Sequence, residues 1–176
     1  MSDMSDLSPR PDLRSALSEA PAGPLQGAAA ITRGVGRLFQ RHDIFTVAEM
    51  PLRNNRRADL MGLSKNGDIV IVEIKCARGD LLGDAKWTDY LDYCDRFYWA
   101  VCPEILCDEL HQERFLPERT GLIVADAYDA EILRPAALTP LAASRRKVET
   151  LRLARQAMRR LTRISDPGLP LIPDQE

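Results

Sequence analysis

Among the residues able to do chemistry, two carboxylates and one ammonium stand out. Asp59 lies in RADLMGL, and Glu73-Ile74-Lys75 closes the apolar run IVIV. In a strand, alternate side chains share a face, so Glu73 and Lys75 emerge together while Ile74 points the other way. An ionised Glu and Lys at the end of a buried strand are expensive unless paired or given a ligand. Between the two runs stands Lys65-Asn66-Gly67, and Asn-Gly flanked by apolar segments favours a tight reversal. With the turn centred on residues 66 and 67, Glu73 faces Leu60. Asp59 is then one step along, close enough to converge with Glu73 on one ion if the hairpin twists or bulges.

Two carboxylates without a neighbouring His or Cys are hard oxygen ligands, suited to Mg2+ or Mn2+ rather than zinc. Such a cation acts as a Lewis acid on a phosphoryl oxygen. A lysine two residues away can orient the attacking water or help take its proton, and can offset the charge that builds on a phosphate. That combination is what phosphodiester hydrolysis requires. The same three residues could equally form a structural Glu–Lys–Asp ion cluster, and spacing leaves both readings open. Other chemistries are short of groups. The chain has two His, His42 and His111, and four Cys, Cys76, Cys94, Cys102 and Cys107, with no C-x-x-C pair. Zinc knuckles and thioredoxin-like motifs are therefore excluded, and a Ser or Cys nucleophile lacks a convincing base.

The elements that must position these groups follow from periodicity. With 176 residues, 45% hydrophobic and 28% charged, the chain fits one compact domain. Residues 1–26 read as a flexible leader, 27–164 as the folded domain and 165–176 as an extended Pro-rich tail. AAAITRGVGRLFQRHD is a helix, and its Gly34 and Gly36 form only G-x-G, too little for a phosphate loop. Strands follow at about 44–50, 57–64 and 69–76. Trp87, Tyr90, Leu91 and Cys94 give the stripe of a helix lying on a sheet, and FYWAVC, residues 97–102, is a strand buried on both faces. TGLIVADA and AEILRP supply a further strand pair, and a last helix covers about 139–163. A meander, a crossover helix and another strand make an α/β fold with a mixed sheet flanked by helices. The N-terminus lacks the apolar core of a signal peptide, and no apolar stretch reaches the ~18 residues of a membrane span. The expectation is a cytoplasmic protein with reduced thiols.

Charge sharpens the choice of partner. Lys and Arg total 24 against 26 Asp and Glu, a net charge of −2, which excludes a protein that coats nucleic acid by charge alone. Locally the balance reverses. Residues 145–163 hold eight basic side chains against Glu149 alone. At about 100° per residue, Arg152, Arg155 and Arg159 fall on one face with Arg145, Arg160 and Arg163, opposite Leu151, Ala154, Ala157, Met158 and Leu161. Arg53, Arg56 and Arg57 lead directly into Asp59, and Lys86 stands beside Trp87. Arg forks match phosphate oxygens, so Arg53, Arg56, Arg57, Lys86, Arg152, Arg155 and Arg159 are candidate DNA contacts. The alternative for each is a solvated charge paired with acidic neighbours.

These residues carry a resemblance. Asp59, the hairpin and EIK look like the PD-(D/E)xK nuclease core. RRADLMGL, VEIK, GDAKWTDYLDYCDRFYWAV and GLIVADAYDAEILRP resemble the MmcB-type bacterial DNA repair proteins over roughly residues 30–163. The resemblance implies a restriction-endonuclease-like core, Mg2+-dependent (or Mn2+-dependent) nuclease action on DNA, and Asp59, Glu73 and Lys75 as the catalytic positions. Asp59 and Glu73 would be the metal ligands. It further implies DNA as partner at the bacterial nucleoid, with other repair proteins or a second copy of the chain as further partners. Ala58 stands where the superfamily pattern has Pro. Many members also carry an acidic metal ligand in the first helix, which AAAITRGVGRLFQR lacks. Glu49, at the end of the first strand, is the candidate in its place, with a solvent-facing edge charge as the alternative. A different class of function keeps the fold without catalysis, as a DNA-binding module that recruits repair partners.

Overall fold

The computed structural model describes residues 25–170. The expected leader lies outside the described residues apart from Leu25 and Gln26, as does the end of the tail from 171 onward. Helix α1 (Gly27–Arg41) buries Ala30, Ile31, Gly34, Val35, Leu38 and Phe39, a stripe at helical spacing. Gly34 is required by close approach, since a Cβ there would stand 2.3 Å from the Asp126 carbonyl oxygen and 2.5 Å from that of Asp129. Gly34 thus seats the helix against backbone, whereas Gly36 faces open space. Asp43, at φ +57°, takes the left-handed position that ends the helix.

Six strands form one sheet in chain order: β1 (Ile44–Pro51), β2 (Arg57–Ser64), β3 (Ile69–Lys75), β4 (Arg96–Val101), β5 (Gly121–Ala125) and β6 (Ala130–Arg134). β1–β2, β2–β3 and β5–β6 are antiparallel, whereas β3–β4 and β4–β5 are parallel. The sheet is therefore mixed and α/β, as expected. Helix α1 covers one face over Leu60, Val70, Val72 and Ile74. On the other face, Met61, Ile69 and Ile71 pack with Trp87, Phe97, Trp99, Leu110 and Phe115.

Two local expectations are corrected. The β2–β3 loop has three residues, 65–67, closed by the Ser64 N–H on the Asp68 carbonyl (3.0 Å), with Gly67 at φ +83°. Such a loop ends in a left-handed glycine and moves the pairing by one residue relative to a two-residue turn. Leu60 accordingly pairs with Val72 and Met61 with Ile71, so the same register carried outward sets Asp59 across from Glu73. The crossover between β3 and β4 is also not one helix. It divides into α2 (Arg78–Gly83) and a 3-10 segment (Trp87–Tyr93). The break falls at Asp84, whose carboxylate leaves the helical path for Lys75 and for the Lys86 N–H. With three residues per turn, Trp87, Tyr90 and Tyr93 line up and are all buried, so the same apolar stripe serves the tighter helix.

Buried Asp95 anchors the C-terminal element. Its carboxylate accepts the Ile69 N–H (2.8 Å) and the Leu141 N–H (2.7 Å) and pairs with Arg146, while its carbonyl accepts the Thr139 N–H (2.8 Å). Helix α3 (Ala143–Ser165) starts from this latch. It buries only Glu149 and Leu153. Its apolar side faces away from the body, leaving Leu151, Met158 and Leu161 55%, 65% and 57% exposed. Leu153 packs into the core, and guanidinium bonds add to that hold: Arg152 donates to the Pro51 carbonyl (3.0 Å) and Arg160 to that of Glu49 (3.1 Å).

Candidate active site

The strand ends meet where the ladders lapse. Between β2 and β3 the pairing stops at Leu60 and Val72, and Asp59 uses a carboxylate oxygen, Oδ2, to accept the Ile74 N–H at 2.7 Å. A side chain has taken the place of a ladder carbonyl. On the other side of Asp59 the β1–β2 ladder skips from Ala48–Leu60 to Met50–Ala58, because Glu49 adopts φ +48°. Either side of that left-handed residue the strand changes layers, with Ala48 against α1's core and Met50 in the opposite one. Such irregularities cost about 1–3 kcal/mol in a non-glycine residue and cluster at functional sites.

Glu73 is 7% exposed, and its Oε2 is buried without a hydrogen-bond partner among the described residues. Its Oε1 accepts from Lys75 Nζ at 3.1 Å, and the same ammonium reaches Asp84 Oδ2 at 2.8 Å. Burial, then the charge of Asp59, pushes the Glu73 carboxyl up to about 7 despite Lys75. Asp59 is likewise raised by burial, partly offset by the Ile74 N–H and by Lys75 and Arg57. Burial alone would lower Lys75, but the Asp84 hydrogen bond and the Glu73 and Asp84 charges overcome it and hold the ammonium above its ordinary value. Held in its charged form by these carboxylates, Lys75 is suited to orientation and charge stabilisation. Trp99, opposite Glu73 on β4, lies under the ammonium with its ring centroid 5.9 Å from Nζ.

The donor set fits a divalent cation. The Lys75 ammonium pairs with two carboxylates, of Glu73 and Asp84, Asp59 lies near enough for its charge to raise Glu73, and a buried Glu73 oxygen has no partner among the described residues. Among the described residues no three His, Cys, Asp or Glu side chains are gathered to hold a metal by themselves. A two-carboxylate site is still sufficient for Mg2+, which keeps several waters and takes substrate phosphate. Glu49 lies near enough to Asp59 to raise its pKa, but its own carboxylate is exposed and pairs with Arg57 at 3.4 Å.

The basic candidates separate into groups. Arg53, Arg56, Arg57, Arg152 and Arg155 line one pocket between the 51–57 loop and α3. Arg56 is fixed by Nε and Nη2 both donating to Asp89 Oδ2 (3.1 and 2.8 Å), and Arg152 by Glu149 (3.0 Å). Arg159 bonds Gln156 at 3.4 Å outside this pocket, and Lys86 is exposed beyond Asp84. Trp87 is buried against Phe97 and Trp99, which assigns it to the core.

Three participants escape a reading of spacing. Asp84 looks like a helix-terminal acid and does cap the Lys86 N–H, yet its other oxygen holds Lys75. Tyr90 looks like core, but its hydroxyl donates to the Arg57 carbonyl at 3.2 Å and its phenol is pushed up by burial and by Glu73, Asp59 and Asp84. Trp99 is a strand residue whose role depends on its neighbour across the sheet. Only Asp84 left a trace in the sequence, as an acid beside a glycine where the crossover breaks.

A family model described as DNA repair protein MmcB-like matches residues 18–168. A solved structure of a protein of unknown function from Silicibacter pomeroyi is 43% identical, with a TM-score of 0.75 over 85% of this chain and 99% of that one. No curated protein matches the chain significantly. No helix among the described residues is long and apolar enough to cross a membrane.

Proposed function

The chain belongs to the MmcB-like DNA repair protein family, and from that premise we propose that it is a metal-dependent nuclease that hydrolyses phosphodiester bonds of DNA on a restriction-endonuclease-like, PD-(D/E)xK core. The single observation that carries the reading is Glu73, a buried carboxylate whose Oε2 has no partner in a cluster with surplus negative charge. Asp59 and Glu73 would hold Mg2+ or Mn2+, with Glu49 as a third ligand when Arg57 turns to phosphate. When bound, the cation supplies Lewis acidity at the phosphoryl oxygen and lowers the pKa of water.

The chain's own groups do the rest. Asp59 is held by the Ile74 N–H, so its free oxygen keeps one direction. Lys75, paired with Asp84, orients the water that attacks phosphorus and offsets the charge of the pentavalent transition state as the P–O bond to the leaving sugar oxygen breaks, with solvent taking the water's proton and protonating that oxygen. Arg57, two residues from Asp59 on the same strand face, grips the phosphate, and the other arginines and Lys86 bind the backbone on either side. The domain is residues 27–164 with α3 as its basic flank, acting at the bacterial nucleoid.

The test is cleavage of single-stranded, nicked, flapped and branched DNA with Mg2+ or Mn2+. Wild type should cut at least one of them, and Glu73→Gln should cut none while remaining folded. Binding without cleavage by the wild type would sink the enzyme reading in favour of a DNA-binding module.

A further inference from the structure

We infer that the arginine-walled pocket beside the carboxylates takes an unpaired DNA strand, so that the substrate class is single-stranded DNA or a single-stranded flap rather than continuous duplex. The inference rests on the nuclease reading for its consequence, but the pocket's geometry stands by itself. The cavity is about 630 Å3 and lies between the 51–57 loop and α3. That volume falls in the range of sites for small ligands, room for a nucleotide or two and not for stacked base pairs. A duplex presents its phosphates on a convex surface, whereas this site is concave.

The lining suits an unpaired strand. Five arginines line the cavity with Asn55 and Gln156, and among the described residues no acidic residue lines it. Arg56 and Arg152 are fixed by Asp89 and Glu149, so they are placed before any ligand arrives. Arg53 and Arg155 have no partner among the described residues. Their planes are free to fork onto phosphate or to stack on a splayed base, which a paired base does not offer. The floor, Met50-Pro51-Leu52, is apolar and carries no competing charge. Arg57 belongs both to this pocket and to the strand that carries Asp59, so a strand lying in the pocket leads to the carboxylates.

The experiment measures binding without catalysis. Fluorescence anisotropy of the full chain in EDTA compares a 12-nucleotide single strand with the duplex of the same sequence, across a salt series. The expected result is at least tenfold tighter binding of the single strand. R53A/R155A should weaken that binding at least tenfold and reduce the slope of log K against log salt by about 1.4, two phosphate contacts at ~0.7 each. R33A, an exposed arginine on helix α1 across the sheet, should leave both unchanged. Equal or tighter binding of duplex, or an unchanged affinity in R53A/R155A, overturns the inference. Cleavage with Mg2+ separates the two readings. Duplex preferred and cut removes the pocket assignment and keeps the nuclease, whereas single strand bound but uncut in every metal removes the nuclease and keeps the pocket.

Discussion

Replacing Glu73 by Gln should make the metal-free protein more stable while removing its activity. The carboxyl is buried, one oxygen has no partner, and its pKa rises from 4.5 to about 7, chiefly through burial and then through Asp59. Each unit corresponds to about 1.36 kcal/mol, so the ionised form weighs on the fold by on the order of 3 kcal/mol above neutral pH. A carboxyl whose folded pKa exceeds its unfolded value binds more protons in the native state. Stability therefore falls as pH rises from about 4.5 through about 7 and is level beyond. Gln imitates the neutral acid and still accepts from Lys75, so we expect a gain of about 2 kcal/mol at pH 8.5, a Tm rise of about 4–8 °C for a domain of this size. Melts of both proteins in EDTA between pH 5 and 8.5 measure it, and the gap should close toward pH 5. An equal or lower Tm for the variant at pH 8.5, or a gap independent of pH, refutes the electrostatic reasoning. A more stable protein that no longer cleaves also separates lost chemistry from lost fold.

Other expectations follow from the same geometry. Adding Mg2+ to about 100 times its Kd should stabilise the wild type by about 2.7 kcal/mol and the Asp59→Asn/Glu73→Gln protein by nothing measurable, read as Tm shifts. Lys75→Met should lower kcat about 10²–10³-fold, as does loss of one preorganised donor, and Arg should not restore it because the Asp84 and Glu73 contacts fit a compact ammonium; steady-state kinetics decide. Asp95 is pulled below the ordinary carboxylate range because Arg146 and the Ile69 and Leu141 N–H groups outweigh its burial. Its contribution is complete above about pH 3.9 and is lost as pH falls through its folded value. Asp95→Asn should cost about 2–3 kcal/mol at pH 7 by urea unfolding and flatten the acid limb. Gly34→Ala should destabilise by about 2–3 kcal/mol, through the collision with the Asp126 and Asp129 carbonyls, whereas Gly36→Ala, facing open space, should gain about 0.5–1 kcal/mol by helix propensity in the same assay.

By itself the sequence determined the order of the strands and of the first and last helices, the mixed α/β sheet, and the placing of Glu73 and Lys75 on one side of a strand end near Asp59. These follow from local physics: a period of two or 3.6 residues in the apolar pattern, Asn-Gly at the reversal, and alternation that sends Glu73 and Lys75 to one side. The tertiary structure alone decided what depends on distant neighbours. The hairpin register turned on whether two or three residues formed the loop, and a one-residue step moved Asp59 from beside Glu73's partner to directly across from Glu73. Asp84 joined the site only because the crossover broke at that residue, and Trp99 only because β4 lies beside β3. Helix α3 has a clear amphipathic pattern, yet apart from Leu153 it is its arginines, and not the leucines of its apolar side, that hold it to the body. Periodicity records which side of a helix is apolar, while what that side meets is set by the free backbone carbonyls of Glu49 and Pro51, far away in the chain and adjacent in the fold.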